Sequence, residues 1–215
     1  MKKYELTEET VTVYGKTLYR IRAVRDFGSV KTGEFGGYIE KEENLSHFGN
    51  AWISGDAWVY GDARVFDNAK VYGDAKVYGD ARVSGDAWVY GDARVSGDAR
   101  VFDNAKVYGD AKVYGDARVF GDAWVYGNAW VYGNAEVFNT RHFFVQGPIG
   151  SRDGYVTFYR TKDDTIGVRC GCFSGSLQKF VDRVEETHGG SRYEKEYKIA
   201  AELAKVCIRL EGESR

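Results

Sequence analysis

Residues 61–78 read GDARVFDNAKVYGDAKVY, and the same eighteen letters recur without change at residues 97–114. Both copies lie within residues 49–138, where one six-residue unit is repeated fifteen times without an insertion. Typical forms of the unit are Gly-Asp-Ala-Lys-Val-Tyr and Gly-Asp-Ala-Arg-Val-Phe. A unit this short cannot bury an apolar face alone, so the repeat predicts a solenoid in which successive units stack.

Each unit has the pattern of a short strand followed by a corner. Ala57 and Val59 are two residues apart, as are Ala and Val in the other units except the first, which has Ile53, and this spacing places both on one face of a strand. The residues next to them then face outward. The Gly-Asp or Asp-Asn pair that follows is turn chemistry, because Gly, Asn and Asp tolerate a positive φ.

The sequence also indicates how many units complete one turn of the solenoid. The identical copies begin at positions 61 and 97, six units apart, which equals two turns of three units each. Three units therefore complete a turn, and the solenoid has three sides. Residues 49–138 then form five turns. With strands about 4.8 Å apart, this prism is roughly 24 Å long.

The run Val59-Tyr60-Gly61-Asp62-Ala63 resembles the hexapeptide signature of left-handed β-helix proteins. That resemblance covers residues 49–138 and implies a left-handed coil. We therefore predict a mainly β protein, with a three-sided parallel left-handed β-helix of about five 18-residue coils. An N-terminal β cap precedes it at residues 1–48, and a small C-terminal α+β domain follows it at residues 139–215.

The N-terminal cap is predicted to contain a hairpin of residues 11–14 and 18–24 across Gly15-Lys16. A degenerate coil leads from it into the repeat, through Gly33, Gly36, Gly37, Ile39 and Leu45. The segment from Tyr19 to Ala51, with Arg25-Asp26-Phe27-Gly28 and Gly36-Gly37-Tyr38-Ile39, is similar to the opening of uncharacterised hexapeptide proteins of bacteria and their phages. Some of those proteins are labelled acetyltransferases.

The C-terminal region predicts strands followed by helices. Residues 141–145 form an exit strand, residues 147–154 a loop, and residues 155–160 and 166–172 a hairpin. Ser174 or Ser176 caps a first helix that ends at residues 188–190. A second helix carries Tyr193, Tyr197, Ala200, Leu203, Ala204 and Cys207 on one side.

Residues one turn apart stack, so the outward columns follow from the sequence. Face one carries Trp52, Lys70, Trp88, Lys106 and Trp124; face two carries Trp58, Lys76, Arg94, Lys112 and Trp130; face three carries Arg64, Arg82, Arg100, Arg118 and Glu136. In one interpretation each cation lies over a neighbouring ring. In the other, a partner docks on the arginine column of face three, Arg64 to Arg118, or on the broad Trp/Tyr surface of faces one and two. The exposed aromatic area favours a homo-oligomer, either a dimer or a trimer.

Composition excludes several classes of protein. The net charge of −2 and pI of about 6.0 argue against nucleic acid as a partner. No apolar run has the length of a membrane span, and the polar start argues against a signal peptide, so a cytoplasmic location is expected. An odd number of cysteines, three, fits a reducing compartment. Neither the corner aspartates nor Cys170 and Cys172 have the spacing of a metal site, so no metal and no cofactor are expected.

One loop has the residue types of an anion site. Ser151 and Arg152 lie in its glycine-rich stretch, and Arg160 and Lys162 follow in the hairpin, so amides and cations there are candidates to hold a phosphate. No catalytic residue is predicted, because no loop interrupts the fifteen units and no histidine lies among them.

Three functions remain open. The first is a non-enzymatic, phage-type binding protein, in which the β-helix is a rigid scaffold and oligomerisation rod. Its C-terminal domain binds a partner or an anionic, nucleotide-like ligand, a use that would counter a host defence. The second, implied by the family resemblance, is an acyl-CoA-dependent acyltransferase with a histidine base, for which His142 is the candidate. The third is a purely structural, self-assembling protein.

Overall fold

In the computed structural model, which describes residues 2–210, the chain forms three β-strands, a solenoid of short strands and a C-terminal sheet with two helices. The first strands are β1 (Tyr4–Val13), β2 (Lys16–Ala23) and β3 (Phe35–Ile39), followed by a 3₁₀ turn over Glu42–Asn44. Strands β4 to β18 are Trp52–Ile53, Trp58–Val59, Arg64–Val65, Lys70–Val71, Lys76–Val77, Arg82–Val83, Trp88–Val89, Arg94–Val95, Arg100–Val101, Lys106–Val107, Lys112–Tyr114, Arg118–Val119, Trp124–Val125, Trp130–Tyr132 and Glu136–Val137.

Each strand of the repeat from β4 to β15 pairs in parallel with the strand three units further along the chain. Trp88 pairs with Lys106 on face one, Arg94 with Lys112 on face two, and Arg100 with Arg118 on face three. The predicted parallel, three-sided solenoid with three units per turn is therefore confirmed. Strand β3 also pairs in parallel with β5, and Leu45 bridges Val65, so the solenoid has about six turns rather than five.

The core of the solenoid is a column of alanines and valines. Alanines of the repeat are at most 1 % exposed, and its valines are fully buried. This confirms the predicted inward positions, because residues two apart on a strand share a face. The corners are built as the turn chemistry predicts: Gly73 has φ +73°, and Asp67 and Asp103 adopt φ +59° and +58°.

The cap closes the first turn with side chains as well as strands. The Lys3 ammonium is fully buried and donates to the Ala51 carbonyl at 2.7 Å, while the Tyr4 hydroxyl donates to the Leu45 carbonyl at 2.8 Å. Strands β1 and β2 form the predicted hairpin, but its turn is Tyr14-Gly15 rather than Gly15-Lys16. Lys16 is paired with Val13, and both turn residues have positive φ.

The C-terminal region contains an antiparallel sheet of four strands in sequential order: β19 (Phe143–Ile149), β20 (Gly154–Arg160), β21 (Ile166–Cys170) and β22 (Phe173–Ser176). Helices α1 (Leu177–His188) and α2 (Arg192–Cys207) follow. The Ser176 hydroxyl caps α1 by accepting the Lys179 amide. Neither helix of the described chain is both long and apolar enough to cross a membrane.

Two details of this region differ from the sequence prediction. Strand β19 continues through residues 147–149, which were predicted as a loop, because Ile149 pairs with Gly154 across a bulge. Residues 173–176 form a fourth strand that the sequence did not indicate, because its serines and glycine are typical of loops. Val156, Phe158, Val168, Phe180 and Ala204 form the buried core between sheet and helices.

Strand β20 closes the last turn of the solenoid. The Trp130 amide donates to the Thr157 hydroxyl at 2.9 Å, and the Lys162 amide donates to the Asn134 carbonyl at 3.0 Å. The domain is thus attached along the terminal edge of the prism, beside face two.

Candidate ligand-binding cleft

A cleft of about 990 Å³ lies between face two and the C-terminal domain. One wall is the part of face two nearest the end of the repeat, with Arg94, Lys112 and Trp130. The opposite wall comes from the turn after β19, the hairpin of β21 and β22, and helices α1 and α2. Its volume falls within the range of pockets that hold small molecules, about 300 to 1,000 Å³.

The solenoid wall is a vertical row of side chains. Arg94 pairs with Lys112, and Lys112 pairs with Trp130, because these residues are one turn apart. The Lys112 Nζ lies 4.2 Å from the centre of the Trp130 ring. From the other wall, the Arg169 guanidinium lies 5.3 Å from the same ring. Trp130 therefore joins the two walls by contact with a cation from each.

The cleft has an excess of positive charge. Arg94, Lys112, Arg152, Arg169 and Arg183 line it, against the carboxylates of Asp92 and Asp110. In residues 2–210, only Arg183 among these five cations has an ion pair, with Glu186. Burial, and then the neighbouring Arg94 guanidinium, lower the pKa of Lys112. Such a local excess of cations creates a positive potential that attracts anions.

Aromatic side chains line the domain wall. Tyr155 is 43 % exposed at the rim, whereas Phe180 is almost fully buried. Burial raises the pKa of Tyr197 to about 12, and its hydroxyl hydrogen-bonds the Cys170 thiol. A Cβ on Gly150 would lie 1.9 Å from the Tyr197 hydroxyl oxygen, so only glycine allows the β19 turn to approach this ring.

The structure does not bring the four predicted residues of the C-terminal loop into one site. Ser151 and Arg152 line the cleft, but Arg160 and Lys162 lie at the opposite end of β20, about 20 Å away at about 3.4 Å per residue. Arg160 is 2 % exposed and pairs with Glu136 at 3.3 Å and Asp164 at 2.8 Å. It therefore serves the junction between solenoid and domain.

The arginine column of face three is stacked in the predicted register, and Arg64, Arg82, Arg100 and Arg118 are all exposed. None of the four lines the cleft. On faces one and two, lysines lie over tryptophan rings, as in the Lys106–Trp124 contact of 4.6 Å. Face three instead stacks its phenylalanines, with Phe102 and Phe120 centres 4.9 Å apart.

Sequence reasoning missed Arg169 as a site residue and did not single out Arg94 and Lys112 from their column. The repeat places those two residues on face two, but all members of a column look alike in sequence. What distinguishes them is the domain that folds back against their end of the prism. A cue for Arg169 was its position in the second strand of the predicted hairpin, beside Cys170.

The two histidines that flank the repeat do not line the cleft. His142 is 4 % exposed, and burial followed by the nearby Arg160 charge lowers its pKa to about 4. His47 stacks on the Tyr4 ring with centres 4.3 Å apart. Neither has the open position that a general base toward an acyl acceptor requires.

Comparison with known proteins supports the solenoid. A family profile described as the YdcK β-solenoid repeat matches residues 75–91, 93–109 and 111–127. The starts of these three segments are separated by one turn of the structure each. The repeat of this chain is therefore similar to that β-solenoid repeat. No curated protein matches the chain.

Proposed function

We propose that this protein is a non-enzymatic binding protein whose cleft takes a small anionic, nucleotide-like ligand. The observation that carries the proposal is the convergence of four cations, Arg94, Lys112, Arg152 and Arg169, on one cavity that is lined by two carboxylates, Asp92 and Asp110. The whole chain has a net charge of −2, so this local excess of cations is not a general property of the surface. Anions gain most where such charges are partly desolvated.

The aromatic lining and the size favour a ligand larger than inorganic phosphate. A ring bound at the rim would stack on Tyr155, because the Trp130 ring is already contacted by Lys112 and Arg169. Its anionic groups would lie between Arg152 and the Arg94–Lys112 row. A nucleotide combines a planar ring and phosphates in this way, and stacking of a base contributes about 1 to 3 kcal/mol.

In this proposal the solenoid is a rigid scaffold that presents one wall of the site. Capture of a nucleotide would counter a host defence that signals through it, and this part rests on the resemblance of residues 19–51 to phage proteins. Assembly into a dimer or trimer through the aromatic faces also stays a prediction, which light scattering at high protein concentration measures.

The test is binding of nucleotides to the purified full-length protein. Mass spectrometry first identifies any anion that co-purifies. Titration calorimetry with AMP, GMP, CMP, UMP, ATP and inorganic phosphate then follows. We expect at least one nucleotide to bind, and Lys112→Ala and Arg152→Ala each to weaken it about tenfold or more, which corresponds to about 1.4 kcal/mol.

Lys76→Ala is a matched control. Lys76 lies in the same column as Lys112 and over Trp58 at 4.3 Å, almost the distance of the Lys112–Trp130 contact, but it does not line the cleft. We expect it to leave nucleotide affinity unchanged. The proposal is wrong if no nucleotide binds and none co-purifies, or if Lys76→Ala and Lys112→Ala weaken binding equally.

A further inference from the structure

Two of the three cysteines line the cleft. Cys170 ends β21, and Cys172 lies in the two-residue turn that leads into β22. Cys172 is exposed and Cys170 is half-buried, and all three cysteines have free thiols. Cys207 lies on α2 and does not line the cleft. The pair therefore places thiol chemistry inside a cavity, and the third cysteine supplies an internal reference.

The two cleft thiols are unequal as nucleophiles. Burial raises the pKa of Cys170 and outweighs the neighbouring Tyr197 hydroxyl, which lowers it, so Cys170 favours the unreactive thiol form. Cys172 has solvent access and sits beside Gly171, whose φ is +54° and whose Cβ position is open. Access and a loosely packed turn make Cys172 the thiol that a reagent entering the cleft meets first.

The charges around Cys172 select the reagent. The Arg169 Nη1 lies 3.4 Å from the Cys172 carbonyl oxygen, and Arg152 and Lys112 line the same cavity. Clefts lined by one sign of charge raise the local concentration of opposite charge and raise association rates by about 10- to 1,000-fold. An anionic disulfide is therefore favoured over a cationic one at this thiol.

We propose that Cys172 is a modification site for an anionic low-molecular-weight disulfide, of which glutathione disulfide is the type, and that the resulting mixed disulfide fills the cleft. This inference rests on the proposed function in one respect, the anion-selective character of the cleft. Occupation of the cleft by the glutathionyl group excludes the nucleotide, so the modification regulates binding at the same site.

The step is an ordinary thiol–disulfide exchange. Cys172 loses its proton to solvent, and the thiolate attacks one sulfur of glutathione disulfide. The bond between Cys172 and that sulfur forms as the disulfide bond of the reagent breaks, and glutathione thiolate leaves. Cys172 is oxidised and one half of the reagent is reduced, so no other oxidant is needed.

The experiment compares glutathione disulfide with cystamine, a cationic disulfide, on the full-length protein, with peptide mass mapping over time. The measured quantity, at each cysteine, is the rate of modification by glutathione disulfide divided by the rate of modification by cystamine. We expect this ratio at Cys172 to exceed that at Cys207 by about tenfold or more at low salt. The double variant Lys112→Ala/Arg152→Ala should bring it toward the Cys207 value, whereas Lys76→Ala should not.

A second measurement separates this inference from the proposed function. Nucleotide affinity of unmodified Cys172→Ser tests the ligand proposal without the thiol, and glutathionylated wild-type protein is expected to bind the nucleotide at least about tenfold more weakly than the reduced protein. Equal rate ratios at Cys172 and Cys207, or modification of Cys170 in preference to Cys172, would overturn the thiol proposal. If the thiol proposal failed in this way but Cys172→Ser still bound nucleotide, the proposed function would be retained without the thiol modification.

Discussion

His142 illustrates how single residues serve the junction between solenoid and domain. Its Nδ1 faces the Phe138 amide at 3.4 Å, and its Nε2 lies 2.9 Å from the Asn139 amide nitrogen. The ring also packs edge-on against Phe138, with centres 3.9 Å apart. Burial of the ring and, after it, the nearby charge of Arg160 disfavour the protonated form. The residue that the family resemblance suggested as a base is therefore a buried structural histidine.

This environment predicts a pH dependence of stability. The pKa of His142 falls from 6.5 to about 4 in the folded protein, so between these values the unfolded chain binds a proton that the folded chain does not. Stability therefore decreases as the pH falls through this window, by about 2 to 3 kcal/mol at pH 4.5. Urea unfolding at pH 7 and pH 4.5 measures it.

His142→Gln is the variant for comparison, because glutamine retains hydrogen-bonding groups but does not titrate. We expect the loss of stability between pH 7 and pH 4.5 to be smaller in His142→Gln than in wild type by that same amount. Carboxylates with lowered pKa, such as Asp26 at about 2, contribute equally to both proteins. An identical pH dependence of the two proteins would contradict the assignment.

At the scale of the element, the corner between faces three and one explains a pattern in the repeat. Its column reads Gly49, Asp67, Gly85, Asp103 and Gly121, all with positive φ. The Asp67 carboxylate accepts the Gly85 amide at 3.2 Å, and Asp103 accepts the Gly121 amide at the same distance. A Cβ on Gly85 would lie 2.8 Å from the Asp103 amide nitrogen. Aspartate and glycine therefore alternate along this column, because the Asp at one corner occupies the space that a side chain at the neighbouring corner would need.

Two glycine substitutions separate this steric limit from backbone strain. Gly85 and Gly127 have nearly the same φ, +65° and +62°, but a Cβ on Gly127 would have nothing within 4 Å. We expect Gly127→Ala to lower the free energy of unfolding by about 1 to 2 kcal/mol, the cost of a left-handed conformation. Gly85→Ala should cost at least about 1 kcal/mol more, because its methyl group overlaps the next corner.

Urea unfolding of both variants, followed by far-UV circular dichroism, provides the comparison. Equal losses would show that the corners can relax apart and that the alternation has another origin.

At the scale of the whole molecule, the C-terminal domain both closes the solenoid and forms the cleft. Strand β20 covers the edge of the last turn, with Thr157, only 1 % exposed, accepting the Trp130 amide. The side chain of Trp130 is at the same time the point where the two walls of the cleft meet. Stability of the junction and geometry of the cleft are thus set by the same residues.

The contribution of this junction is measurable at Thr157. Thr157→Val keeps the shape of the side chain but leaves the Trp130 amide without its acceptor, and we expect a loss of about 1 to 3 kcal/mol in the free energy of unfolding. Thr157→Ser keeps the hydroxyl and removes one methyl group, for an expected loss of about 1 kcal/mol or less. A smaller loss in Thr157→Val than in Thr157→Ser would exclude a role for the hydrogen bond.

The sequence by itself determined the solenoid, its three-unit turn and its three outward columns. These follow from local rules, because alternating Ala and Val positions and glycine corners repeat with one period, and stacking one turn on the next leaves no other register. The helical spacing of apolar residues predicted both helices, with Ser174 or Ser176 as the cap of the first, and the structure shows that Ser176 is the cap.

Only the tertiary structure decided which part of face two lines the cleft. Lys76 and Lys112 have the same neighbours in the repeat. Only Lys112 of the two lines the cleft, because the C-terminal domain packs beside the last turns of face two. Likewise, Arg152 and Arg160 are close in sequence, but an extended strand carries them to opposite ends of the domain. Contacts between distant segments have no signature in a periodic sequence, since the repeat offers the same surface at every turn.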